Sequence, residues 1–63
     1  MCEFRVYLRS GDEVKEVAEG VVKAFVDGEV VRLITLFGEV MEVASAMIES
    51  VDVPNEKLVL AKR

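Results

Sequence analysis

The stretch AFVDGEVVRLITLF (residues 24–37) decides how this chain folds. Asp27-Gly28 stands between two apolar runs, the strongest short-range signal for a β-hairpin; a type I′ turn there needs positive φ at both central positions. VVRLITLF (30–37) is rich in β-branched and aromatic residues and reads as a strand covered on most of both faces. Working outward, CEFRVYLR (2–9) alternates strictly. Cys2, Phe4, Val6 and Leu8 fall on one face, and Glu3, Arg5, Tyr7 and Arg9 on the other. KLVLA (57–61) reads as a short closing strand. Ser10-Gly11-Asp12, Gly38 and Pro54-Asn55 punctuate the remainder as turns, with Asp52 placed to hydrogen-bond the last of them.

Two segments are ambiguous. Val14, Val17, Val21 and Phe25 fall at helical spacing with Asp12 as a candidate N-cap, although Gly20 and the valines oppose a helix. Val40, Val43, Ala44, Met47, Ile48 and Val51 also fit one helical face, and no Gly or Pro interrupts them.

Residues 1–63 are enough for a single domain. So short a chain buries only about 60% of its unfolded surface, yet 52% of its residues are apolar. Part of that apolar content must stay near the surface, where large patches mark partner surfaces. Small scaffolds commonly need disulfides, a metal or self-association. One cysteine cannot form an internal disulfide, so the chain is expected to form a homodimer, the commonest closed assembly. The net charge of −4 and the scattered basic residues argue against nucleic acid, which is held by clustered Lys and Arg. No apolar run approaches a membrane span and no signal peptide is visible. An unpaired thiol fits a reducing compartment, so a cytoplasmic location is expected.

No catalytic arrangement can be read. The chain has no histidine for general acid–base work and no glycine-rich stretch that would cradle phosphates. It is read as a non-enzyme. Glu3 points away from Cys2 by alternation and reads as a solvated charge. Glu13, Glu16 and Glu19 read as a soluble face, and Met41 and Met47 as packing residues. By its residue type alone Cys2 is a small hydrophobe at the rim of the core.

Met1-Cys2 followed at once by an alternating strand, VVRLITLFGE (30–39) and IESVDVPNEKLVL (48–60) resemble the CooT family over essentially the whole chain. These are small bacterial and archaeal proteins, one of them a nickel-binding accessory protein for carbon monoxide dehydrogenase; related archaeal sequences have been labelled RNA-binding. The resemblance implies a β-rich, dimeric protein. The expected fold is therefore a small all-β barrel-like structure of six or seven short antiparallel strands, with an α+β fold carrying a helix over 39–49 as the alternative. For function it implies a metal site at Cys2.

Nickel(II) suits thiolate sulfur with nitrogen donors in a square plane. A twofold axis can supply Cys2 from both chains of a dimer, each with one N-terminal backbone nitrogen. That nitrogen is the Cys2 amide, or its free amine where Met1 is removed. Two facing thiolates also suit copper(I), and under aerobic conditions they can form an intermolecular disulfide. The expected role is delivery of the metal to an acceptor metalloenzyme such as carbon monoxide dehydrogenase. The competing reading is an RNA-binding or protein-interaction module in which Cys2 only packs; RNA binding would require Arg5, Arg9, Lys23, Arg32, Lys57, Lys62 and Arg63 to form one positive surface.

Overall fold

The structure is a computed structural model and describes residues 3–63. Six strands follow one another: β1 (Phe4–Ser10), β2 (Glu13–Asp27), β3 (Val30–Thr35), β4 (Val40–Ala44), β5 (Ala46–Asp52) and β6 (Lys57–Lys62). They form one sheet in the order β4-β3-β2-β1-β6-β5. The outermost strands β4 and β5 are joined by Ser45 alone, at φ 54°. A sheet whose two edges are one residue apart in sequence must curl until those edges meet. Ser45 closes that corner: its carbonyl accepts from the Arg63 N–H at 2.8 Å, and the Ala46 N–H donates to the Glu29 carbonyl at 3.3 Å. The result is a curled half-barrel, all-β as expected. The alternative helix over 39–49 is overturned.

Reasons for the misleading helical spacings are visible in the strands. In 40–51 the apolar positions belong to two strands, and the left-handed residue Ser45 separates them. A second irregularity between Ile48 and Ser50 in the pairing with β6 moves Val51 onto the face of Ile48. Each irregularity shifts a period-2 pattern by one residue, and the sum mimics 3.6. The ambiguous segment 13–26 is likewise one 15-residue strand, β2, with pairing shifts opposite Val6 and after Val21. Asp12 lies in the β1–β2 turn and caps no helix.

The hairpin at Asp27-Gly28 forms, with a different turn. Asp27 pairs with Val30, so the central residues are Gly28 and Glu29. Only Gly28 has positive φ (64°), the pattern of a type II′ turn rather than I′. One strand pair also departs from the antiparallel expectation. β1 and β6 run parallel, with Val6 opposite Leu58 and Leu8 opposite Leu60. The chain can make this connection because four intervening strands carry it around the half-barrel.

Residues paired across the ladders share a face, which sorts the sheet into two sides. On the inner side Val6, Val21, Val31, Leu33, Ala46, Leu58 and Leu60 form the buried core. Phe4, Leu8, Ala24, Val43 and Ile48 pack against it. Burying one such aliphatic side chain stabilises the fold by about 1.5–3 kcal/mol.

Candidate functional site

The outer side of the sheet is a lattice of paired charges. Arg5 lies 3.5 Å from Glu16, Arg32 bonds Glu42 at 2.8 Å and also Asp27, and Arg9 bonds Glu49. Their carboxylate partners raise the Arg9 and Arg32 guanidinium pKa values, Glu49 for the first and Glu42 then Asp27 for the second. Lys23 sits 5.5 Å from the centre of the Phe25 ring, and Lys57 is 5.3 Å from that of Tyr7. All these groups are on the outer side by register. The cations named for the RNA-binding reading are therefore interleaved with acids, and the surface is mixed rather than positive.

The inner side differs from end to end. At the end where β1 finishes, Leu8, Ser10, Glu13, Val14, Lys15 and Lys62 line an open hollow of mixed character. At the opposite end, where β1 and β6 begin, an apolar groove opens between β2 and β5. Phe4, Val21, Val22, Ala24, Ile48, Val51 and Leu58 line it, with Lys23 at its edge. This is the end that carries the start of the chain.

Two turns stand at the same end of the sheet. The β3–β4 turn rests on β2 through the Leu36 N–H, which donates to the Gly20 carbonyl at 2.9 Å. The buried Thr35 hydroxyl accepts from the N–H groups of Phe37 and Glu39 at 3.3 and 3.2 Å. The Gly38 N–H donates to the Thr35 carbonyl. So braced, the turn holds Phe37 81% exposed. The β5–β6 turn joins β1 through the Arg5 N–H and the Glu56 carbonyl, 2.9 Å apart. Asp52 holds this turn by accepting from the Asn55 backbone and side-chain N–H groups at 3.2 and 2.9 Å. Those bonds hold the Asp52 carboxyl below its usual pKa. This is the turn contact expected of Asp52.

Cys2, the one sequence-predicted metal ligand, lies outside the described residues. Among the described residues no three of His, Cys, Asp and Glu converge as a metal-binding group. Glu3, the nearest acidic candidate, joins Glu19 and Glu56 along a polar groove beside Gly20, and its N–H donates to the Glu56 carboxylate at 3.3 Å. Met41 and Met47 do not converge: Met41 pairs with Leu33 on the inner side and Met47 with Ala61 on the outer. Sequence reasoning placed both of these turns, at Gly38 and at Pro54-Asn55, but missed the apolar groove. The signal was present in the excess of apolar residues over what so short a chain can bury.

With a buried core on one side and paired charges on the other, the molecule is a small all-β half-barrel protein. The comparisons narrow this class. A family model described as CO dehydrogenase accessory protein CooT matches residues 1–61, and the chain belongs to the CooT family. A crystal structure from Carboxydothermus hydrogenoformans, of a protein assigned provisionally as a CooT, shares the fold. It superposes with a TM-score of 0.85 at 24% sequence identity, covering 98% of each chain. No curated protein matches the sequence significantly. The family is one of accessory proteins of carbon monoxide dehydrogenase, not of catalytic enzymes.

Proposed function

We propose that this chain carries nickel(II) as cargo for a metalloenzyme, carbon monoxide dehydrogenase being the acceptor the family points to. Two copies of the 63-residue domain associate in the cytoplasm, and the Cys2 thiolates of both hold one ion. The observation that carries this reading is the family match, which runs from residue 1 and so includes the only cysteine. The ligand inventory supports it: the chain has no histidine, and its described carboxylates offer no three-ligand cluster. A soft borderline metal then has one strong donor per chain, and symmetry is the simplest way to double it.

The chemistry follows from the donors. Two thiolates and one N-terminal backbone nitrogen from each chain make an S₂N₂ set, which suits square-planar nickel(II). Each thiol must lose its proton to bind, so acid competes with the metal. Affinity therefore falls on acidification, by up to about tenfold per pH unit for each sulfur.

The test is metal titration of the wild type and of Cys2→Ser. Wild type binds 0.5 nickel per chain, and the variant loses that affinity. Equal binding by both refutes the site. Competition with copper(I) under reducing conditions establishes which soft ion the thiolate pair prefers.

A further inference from the structure

We infer that the free edge of β4 is a docking site for an extended segment of a partner protein, a strand that alternates apolar residues with Lys or Arg. The inference is independent of the metal reading and concerns a different part of the molecule. β4 ends the sheet order and, among the described residues, pairs with β3 alone. Which of its backbone groups are free follows from the turn before it. The Thr35 N–H donates to the Glu39 carbonyl at 2.9 Å, and bonded and non-bonded pairs alternate along an antiparallel ladder. Met41 opposite Leu33 and Val43 opposite Val31 therefore turn their backbone groups toward β3. Val40 and Glu42 turn theirs away, and the N–H and carbonyl of each face outward from the sheet.

The two edges of the sheet are not equivalent. β5 carries an irregularity between Ile48 and Ser50, and the Glu49 carboxylate there is tied to Arg9. A bulge of this kind blunts an edge. The opposite edge, β4, keeps an unbroken register over five residues and contains neither Pro nor Lys. At its far end Lys62 Nζ, 3.4 Å from the Ala44 carbonyl, closes the corner and leaves residues 40–43 as the open stretch. The side chains define the occupant. Met41 and Val43 stand on the inner side, with Met41 38% exposed, and Val40 on the outer side is 60% exposed. Glu39 and Glu42 are the only charged residues in 38–44. Arg32 bonds Glu42 Oε2 from the β3 side, which leaves Oε1 for a second cation. Side chains directly opposite each other interact, so an added strand meets Met41 and Val43 with apolar residues and Glu42 with Lys or Arg. In such strand addition the backbone bonds supply affinity and the alternating side chains supply selectivity.

The test uses the full chain, isotope-labelled for NMR, with an end-blocked octapeptide of alternating valine and lysine as the probe. Saturating peptide should slow amide exchange at Val40 and Glu42 at least about tenfold, with little change along β5. The same peptide N-methylated throughout should give no protection, because it keeps its charge and loses its N–H donors. Glu42→Pro removes one edge donor and spares the β3 ladder, as proline on an edge strand can. It should weaken peptide binding by at least about tenfold, with circular dichroism checking that it folds. The N-methylated control needs no variant and stands even if that protein does not fold. Glu42→Gln keeps the backbone and should weaken binding only about threefold. Exchange at Val40 and Glu42 that the peptide leaves unchanged, or equal protection by the N-methylated peptide, overturns the assignment. So does protection without peptide that fades on dilution, which would give this edge to a second copy of the chain.

Discussion

The two sides of one sheet solve different problems with the same alternation. On the inner side, Val6, Leu33 and Leu60 are fully buried and drive the curl. On the outer side, Arg5, Arg9 and Arg32 each meet a carboxylate and remain solvated. The inner side also runs out of cover. Its apolar surface continues past the core into the groove at Phe4 and Val51, whereas the outer charges are matched within the chain. The comparison teaches that the charged side satisfies its guanidinium groups within the chain, whereas the apolar side leaves part of its surface uncovered.

Substitutions can break or sharpen that contrast. Leu33→Ala removes a fully buried side chain and should cost about 2–5 kcal/mol. In a domain of this size that approaches the whole stability, so urea denaturation should find the variant largely unfolded. Thr35→Val keeps the shape but removes the hydroxyl that accepts from Phe37 and Glu39. It should cost about 1–3 kcal/mol and speed amide exchange across residues 36–39. Gly20→Ala places a side chain at φ 68° and a Cβ 3.2 Å from Leu36 Cδ2. The leucine tip can yield, so the left-handed backbone sets the cost, about 1–2 kcal/mol in a thermal melt.

Smaller effects belong to the polar groups. Asp52 has a lowered folded pKa, so its contribution is present above the unfolded carboxylate value, about 3.9. It is lost as pH falls through the lower folded value. Asp52→Ala should therefore lower the melting temperature slightly at pH 7, and the difference from wild type should shrink on acidification. Arg32→Gln should change it least: its partners Asp27 and Glu42 stay hydrated, and added salt should erase what difference there is. A large loss there would contradict the division between the two sides.

Much of this was legible in the sequence. The alternation of 4–9 marks β1 and its two faces, and Asp27-Gly28 marks the central hairpin. Asp52 two residues before Pro54 signals the turn that it holds. The helical spacings in 13–26 and 40–51 misled because bulges and the left-handed Ser45 shift a period of two, and those irregularities leave no local mark. The β1–β6 pairing joins residues more than fifty positions apart, so no nearby turn chemistry announces it. At the candidate site, Cys2 is legible in the sequence as the one thiol, and it lies outside the described residues. The apolar groove was not legible, because it is assembled from β1, β2, β5 and β6 only when the sheet curls.

Native mass spectrometry of the wild-type protein with stoichiometric nickel tests the central claim most directly. The account predicts a dimer carrying a single nickel ion, and the same dimer without metal when Cys2 is replaced by serine. A nickel-loaded monomer, or equal loading of the serine variant, would contradict it.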